Sequence, residues 1–250
     1  MRKALTLSLA LWLLCLPVFG QRRDSVYTAS ERFHWEKLIV PVSLVGVGTI
    51  CAYLPAYQTD VNLPVRAWAA GVRGENYLPI DDYIQYAPIL AYGIAAACGA
   101  GNHKFLEQLM TGATAGLLCW GAAQGIKYAT SLERPNGKAH TFPSGHTAMA
   151  FMGAELIRLE YGIWWGLGAY TVALGTAFLR VYNEWHWTSD LIAGAGIGIL
   201  CANAAYWLLP LERKWFHVNP KLANVHTAAL PYCAPTPYGA AYGMSLTMSF

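Results

Sequence analysis

Side chains that can bind an anion and move a proton are concentrated between residues 127 and 190 of this chain. The rest of the chain is apolar, with 55% hydrophobic and 12% charged residues. The polar side chains of this region, most of them at the ends of long uncharged runs, are Lys127, Arg134, Lys138, His140, Ser144, His146, Arg180, His186 and Asp190. Cations and imidazoles in such positions indicate a site for an anion at a membrane surface.

Two cations begin this region. Lys127 ends an uncharged run, and Arg134 follows seven residues later. A guanidinium binds a phosphate through two parallel hydrogen bonds, and an ammonium adds a mobile positive charge. Taken alone, such a pair is more typical of a flank that anchors a helix at a membrane surface.

The segment Pro143-Ser144-Gly145-His146 has the composition of a helix start that can hold an anion. Ser144 suits the N-cap position, and Gly145 allows the backbone to approach a ligand closely. The free N–H groups of a first helical turn attract negative charge. His146 would then stand beside the anion, where it could donate a proton. A single capped helix with a histidine is, by itself, most often structural.

His186 and Asp190 are four residues apart, so on a helix they share one face. The carboxylate can hold one imidazole nitrogen and leave the other free as a nucleophile. Arg180, shortly before them, adds a second guanidinium. The His–Asp spacing alone occurs often by chance.

The three segments together, and in this order, are far more specific than any one of them. They resemble the three-part signature of the type 2 phosphatidic acid phosphatase (PAP2) superfamily, which includes membrane lipid phosphatases, soluble acid phosphatases and vanadium haloperoxidases. The matching segments are Lys127-x6-Arg134-Pro135, Pro143-Ser144-Gly145-His146 and Arg180-x5-His186-x3-Asp190. One position departs from the pattern, because Leu179 replaces the serine that usually precedes the arginine of the third segment.

This resemblance implies a role for each matched residue. His186 would attack phosphorus and form a phosphohistidine, Asp190 would orient its ring, and His146 would protonate the leaving oxygen. The residues expected to hold the phosphoryl oxygens are Lys127, Arg134, Ser144, Gly145 and Arg180. Because these cations supply the positive charge, the resemblance implies neither a metal nor a cofactor. Lys138 and His140, between the first two segments, are interpreted as solvated loop residues.

Long uncharged runs must position these segments. They cover residues 38–59, 83–102, 108–126, 161–179 and 191–211, and about 18 apolar residues are enough for a helix to cross a bilayer. Tryptophans lie near the run ends, as is typical of a membrane interface. The sequence therefore predicts an all-α integral membrane bundle of five or six core helices, with the active site at helix ends near the membrane surface. A soluble helical protein with very apolar core helices is the alternative.

The two ends of the chain are interpreted separately. Residues 1–20 predict a signal peptide, since Arg2 and Lys3 precede a short apolar run, with an uncleaved anchor as the alternative. The phosphatase-like domain is predicted to cover residues 21–216. Residues 217–250, which contain four prolines, are predicted to form an extended tail. The six cysteines lack metal-binding spacing, and those inside apolar runs are interpreted as small core residues.

The resemblance implies a metal-independent lipid phosphatase in a bacterial inner membrane, with its site facing the periplasm. The expected substrates are lipid A, undecaprenyl diphosphate or phosphatidylglycerol phosphate. A leader that ends in Gly20-Gln21 is similar to those of Bacteroidetes proteins, in which lipid A phosphatases of this superfamily occur. The alternatives are a soluble periplasmic phosphatase or haloperoxidase, and a non-catalytic membrane transport or lipid-binding protein. A net charge of +3 without a basic run argues against a nucleic-acid partner.

Overall fold

The computed structural model describes residues 31–218, 226–236 and 239–249. The α-helices are α1 Glu36–Tyr53, α2 Leu63–Arg73, α3 Asp81–Ile84, α4 Ala87–Ala97, α5 Phe105–Thr130, α6 Gly145–Tyr161, α7 Ile163–Tyr182 and α8 Thr188–Trp215. A helical turn, Pro55–Tyr57, and a π-helix, Gln58–Asn62, connect α1 to α2. Two strands follow the helices, β1 His226–Thr236 and β2 Gly239–Ser249.

Helix α6 is the centre of the bundle. Twelve of its 17 residues are buried, and it packs against α4, α5, α7 and α8, while α1 packs on the outer side of α8. Within the described residues, α1 and α5 to α8 are the helices of 17 residues or more, and α4 completes the packing around α6. This arrangement confirms the prediction of an all-α bundle with five or six core helices.

The outer surface of the bundle is apolar. Leu117 on α5, Trp164 on α7 and Leu174 on α7 are 71%, 81% and 60% exposed, and a soluble protein rarely exposes so many large apolar side chains together. Helices α1 and α8 are long and apolar enough to cross a membrane by length and composition. The surface suits lipid contact and argues against the soluble alternative.

Glycines on α8 allow three helices to touch at their backbones. A Cβ at Gly194 would lie 2.6 Å from the carbonyl oxygen of Ser144, and one at Gly196 would lie 2.6 Å from that of Pro41 on α1. Only glycine permits these approaches, as is usual where membrane helices pack closely. The contact at Gly194 places the start of α6 directly against the start of α8, which is where the candidate site forms.

The residues after the helices form a two-stranded sheet. The tail differs from the expected extended segment, because β1 and β2 pair antiparallel, from His226 opposite Ser249 to Thr236 opposite Gly239. Pairing satisfies backbone groups that a single extended segment leaves open, and prolines are tolerated in β1 because a two-stranded sheet has only edge strands. The predicted signal peptide, residues 1–20, lies outside the described residues.

Candidate active site

The three sequence segments meet at one end of the bundle. Lys127 lies in the last turn of α5, Gly145 and His146 begin α6, and Arg180 lies in the last turn of α7. The remaining predicted site residues are Arg134 and Ser144 in the loop between α5 and α6, His186 in the loop between α7 and α8, and Asp190 in the first turn of α8. Helix ends and the loops that connect them therefore supply the predicted positions.

His186 is held by its Nδ1 atom. This nitrogen lies 3.3 Å from Oδ2 of Asp190 and 3.3 Å from Oγ1 of Thr141, and the Thr141 hydroxyl also donates to Asp190. Both His186 and Asp190 are buried, with exposures of 2% and 1%. Among the described residues, the hydrogen bonds of the ring all use Nδ1, which leaves Nε2 for a reacting group.

The backbone fixes Asp190 in turn. Its Oδ2 accepts a hydrogen bond from the N–H of Trp187 at 2.9 Å, so the carboxylate also caps the start of α8. The Ser144 N–H donates to the Asp190 carbonyl at 3.1 Å, which joins the starts of α6 and α8. The second carboxylate oxygen, Oδ1, is buried and has no hydrogen-bond partner within the described part of the chain.

The environment of His186 keeps its imidazole neutral. Burial lowers the pKa of His186 to about 4, and the nearby charges of Arg180 and Arg134 act in the same direction, while Asp190 only partly opposes them. At neutral pH the ring is therefore uncharged, with a lone pair available on one nitrogen. A nucleophilic histidine requires this state.

Three cations surround the Trp185 ring. Arg134, Lys138 and Arg180 place their charged groups 5.4, 4.7 and 5.2 Å from its centroid, within the range of cation–π attraction. Burial and the charge of Arg180 lower the pKa of Arg134, which shows how close the two guanidinium groups are. Lys138, interpreted from the sequence as a solvated loop residue, therefore lies beside the site.

Several donors in this cationic group remain available for an anion. Nε of Arg134 and Nε of Arg180 are buried without a hydrogen-bond partner among the described residues, and buried polar groups in this condition usually have a ligand or water. Lys127 interacts electrostatically with both guanidinium groups. Arg180 forms salt bridges with carboxylates, whereas Arg134 and Lys127 form none with the carboxylates of the described residues.

The start of α6 has the geometry that its sequence predicts. Ser144 is the N-cap, and its Oγ accepts a hydrogen bond from the N–H of Thr147 at 3.4 Å. A Cβ placed on Gly145 would meet no atom within 4 Å, so a ligand can approach the backbone at this position. The first turn of α6 can therefore present N–H groups to an anion.

Two acidic residues belong to the site although the sequence did not reveal them. Arg180 donates through Nη1 to Oδ2 of Asp81 at 2.5 Å and to Oδ1 of Asp82 at 3.2 Å. His146 Nε2 lies 3.0 Å from the same Asp82 oxygen, and Asn183 donates to Asp81 at 3.0 Å. Asp81 and Asp82 lie far from the signature in the chain, so no local spacing could have found them. Thr141 was missed for a related reason, since a loop threonine has no distinctive pattern.

A cavity of about 680 Å³ adjoins Arg134 and Asp190. Its polar lining includes Gln58, Arg66 and Asn136, and its lining also includes Ala52 near the end of α1. Ligand pockets typically have volumes of roughly 300–1,000 Å³. The cavity therefore offers space for a polar group next to the cations.

The region that contains the predicted site residues is similar in sequence to a known protein family. Residues 120–214 match the sequence profile of the PAP2 superfamily. This region, which contains all three segments of the signature, is therefore similar to the PAP2 superfamily, in agreement with the resemblance seen in the sequence.

A curated relative gives a finer comparison. The chain is 33% identical over 168 residues to a lipid A 1-phosphatase of Porphyromonas gingivalis. The aligned region is 65% of this chain and 37% of the relative, so the chain spans little more than a third of the relative's length.

Two solved structures are also similar to the chain. One is a transmembrane PAP2-type phosphatidylglycerolphosphate phosphatase from Bacillus subtilis, with a TM-score of 0.48, 18% identity and coverage of 70% of this chain and 96% of that one. The other is LpxE from Aquifex aeolicus, with a TM-score of 0.35, 16% identity and coverage of 75% and 96%.

Proposed function

We propose that this protein is a membrane phosphatase that hydrolyses a lipid phosphate or diphosphate through a phosphohistidine. The observation that carries the proposal is the neutral, buried imidazole of His186, which is held through Nδ1 by Asp190 and lies beside the charges of Arg134 and Arg180. A nucleophile beside the Arg134 guanidinium, whose Nε has no hydrogen-bond partner among the described residues, fits attack on a phosphoryl group.

The reaction has two steps. Nε2 of His186 attacks phosphorus, and the bond to the leaving oxygen breaks. His146, which must enter the step in its protonated form, donates that proton to the leaving oxygen. A water molecule then loses a proton to His146 and attacks the phosphohistidine, which breaks the P–N bond and releases inorganic phosphate. Arg134, Arg180 and Lys127 stabilise the negative charge on the phosphoryl oxygens in both transition states, with no metal required.

Lipid A is the first substrate to test. It is supported by the 33% identity to a lipid A 1-phosphatase and by the cavity beside Arg134, whose amide and guanidinium side chains suit a hydroxylated head group. The apolar outer surface would keep the acyl chains in the bilayer while the head group enters the site. Undecaprenyl diphosphate and phosphatidylglycerol phosphate are the competing substrates.

The decisive experiment measures phosphate release from these three lipids by the purified protein in detergent. We expect His186→Gln to reduce turnover by roughly 10⁴-fold or more, as for the loss of other catalytic nucleophiles, and an alkaline quench of the wild type to trap phosphate on His186. His34→Gln, at an exposed position, is the matched control and should retain full activity. Turnover by His186→Gln within tenfold of the wild type would refute the mechanism.

We also propose that the site faces the periplasm of a bacterial inner membrane. Glu31, just before α1, pairs with Arg213 near the end of α8, whereas α8 begins at the site. The end opposite the site is therefore where α1 begins. It carries the cations Arg32, Lys37, Lys104, Arg158, Arg213 and Lys214, and the positive-inside tendency favours a cytoplasmic location for such an end.

This orientation and a cleaved signal peptide exclude each other if α1 spans the membrane. Cleavage after Gly20 would leave the segment before α1 on the periplasmic side, and α1 would then carry the chain to a cytoplasmic site. Labelling of intact cells with a membrane-impermeant maleimide distinguishes the two cases. We expect Asn136→Cys, in the exposed site loop, to react and Lys214→Cys, at the opposite end, to stay unlabelled. The reverse pattern would contradict the periplasmic orientation.

A further inference from the structure

Two neighbouring carboxylates contact Arg180, and their surroundings differ. Asp81 is fully buried, and its two oxygens accept hydrogen bonds from Arg180 at 2.5 Å and Asn183 at 3.0 Å. The Asp82 side chain is 49% exposed. A single oxygen of Asp82, Oδ1, contacts Arg180 at 3.2 Å and His146 at 3.0 Å.

The position of Asp82 Oδ1 is that of a bound anion. It bridges a guanidinium and an imidazole, the two groups that the proposed mechanism assigns to a phosphoryl oxygen and to the leaving oxygen. A substrate cannot receive hydrogen bonds from Nη1 of Arg180 and Nε2 of His146 in their present directions while this carboxylate is in place. Asp82 therefore holds a place that a substrate oxygen needs.

We propose that Asp82 is a displaceable carboxylate, which occupies the anion site of the free enzyme and which the substrate phosphate must replace. The proposal rests on the proposed function, because it assigns Arg180 and His146 to the same substrate. Asp82 can move because half of its side chain is in solvent, whereas Asp81 is locked by Arg180 and Asn183 and remains the permanent counter-ion of the guanidinium.

The displacement makes Asp82 a residue that sets the affinity for anions. Every anion that enters the site must replace the carboxylate, and the displaced Asp82 remains near enough to repel it. A phosphate monoester or a terminal diphosphate carries up to two negative charges on the transferred group, so its attraction to the cations can offset this cost. Asp82 therefore lowers the affinity of the free enzyme for anionic head groups.

The test compares Asp82→Asn with the wild type and with Asp60→Asn, an exposed acidic position whose carboxylate contacts its neighbour Thr59. Binding of inorganic phosphate and of orthovanadate is measured by calorimetry in detergent, which requires no turnover. We expect Asp82→Asn to lower both dissociation constants by about tenfold, as removal of one like charge beside an anion would. Asp60→Asn should leave them unchanged.

Kinetics provide the second measurement. Asp82→Asn should lower KM for the lipid phosphate, and Asp82→Ala should do the same if the asparagine variant folds poorly. Unchanged or weaker phosphate binding in both variants would overturn the proposal. A fall in kcat with unaltered phosphate binding would also overturn it, since Asp82 would then only orient His146.

The results separate this proposal from the proposed function. If the wild type hydrolyses no lipid phosphate but Asp82→Asn binds inorganic phosphate more tightly, the proposed function fails and the displaceable carboxylate stands. If turnover is normal and the dissociation constants are equal, the proposed function stands and this proposal fails.

Discussion

The two ends of the bundle each bury a histidine, and the two histidines have opposite surroundings. Within the described residues, His186 at the site forms hydrogen bonds through Nδ1 only and lies near guanidinium groups. His103, at the other end, contacts Glu160 with Nδ1 at 2.7 Å and Glu31 with Nε2 at 3.0 Å. Burial lowers the pKa of both, but the two carboxylates outweigh it at His103 and raise its pKa to about 9. One ring is therefore neutral at neutral pH, and the other is a cation.

The end opposite the site is a pairing network. Glu160 also accepts a hydrogen bond from the hydroxyl of Tyr206 at 2.6 Å, and Arg213 binds both Glu31 at 2.8 Å and Glu107 at 2.7 Å. These contacts join α5, α6 and α8 to the segment that precedes α1. Such buried pairs fix geometry, because the loss of one partner leaves an uncompensated charge.

The site end keeps several polar atoms unpaired among the described residues. They are Nε of Arg73, Nε of Arg134, Nε of Arg180 and Oδ1 of Asp190. At the other end, Oε2 of Glu212 and Nε1 of Trp207 are comparable. We expect the ion pairs at the end opposite the site to stabilise the fold. We expect the cations of the site that have unpaired donors to bind the substrate anion. Three predictions test whether one end of the bundle carries the chemistry and the other end the stability.

The largest effect is expected at Asp190. Asp190→Asn should lower kcat/KM by roughly 10³-fold, because an amide neither enforces the correct tautomer of His186 nor stabilises the positive charge that the ring gains as it attacks phosphorus. Steady-state kinetics with the preferred lipid phosphate provide the measurement, with Asp60→Asn as the control. A loss of less than tenfold would show that Asp190 is mainly a cap for α8.

The opposite end should affect stability and leave the chemistry intact. His103→Gln removes a cation between two carboxylates, so we expect the free energy of unfolding to fall by about 3 kcal/mol. The turnover of the protein that remains folded should stay within twofold of the wild type. Denaturant unfolding in detergent and kinetics check the two parts, with His34→Gln as the matched variant. A large loss of kcat without a loss of stability would contradict the assignment of His103 to stability.

The third prediction concerns the pH dependence of stability, whose change per pH unit is small and should have opposite signs for the two rings. The folded pKa of His103 is raised, so its contribution is complete below pH 6.5 and is lost as pH rises through about 9. The folded pKa of His186 is lowered, so stability declines as pH falls from 6.5 towards 4, where the unfolded chain holds the extra proton. Each slope approaches about 1.4 kcal/mol per pH unit.

Unfolding of the wild type and of the two glutamine variants across pH 4–9 measures these slopes. His103→Gln should flatten the alkaline limb, and His186→Gln should flatten the acidic limb. Equal changes in both limbs by either variant would contradict the separate assignment of the two rings.

The sequence by itself determined the elements and the signature positions. Uncharged runs predict helices without reference to a partner, and Ser144 capping α6 and Asp190 four residues after His186 are local relations within one turn of helix. The eight predicted site residues lie at helix ends or in the loops beside them, and the packing of the helices brings these segments to one end of the bundle. The four prolines of residues 217–250 indicated an extended tail, and the pairing of β1 with β2 was not predicted.

The tertiary structure alone decided the contacts between distant segments. Asp81 meets Arg180 across 99 positions, Thr141 meets Asp190 across 49, and Glu31 meets Arg213 across 182. No local pattern specifies such pairs, since they depend on how glycines let α8 approach α6 and α1. The same packing puts a cationic histidine at one end and a neutral one at the other, because the charge of a buried ring is set by the carboxylates and guanidinium groups that the fold places around it.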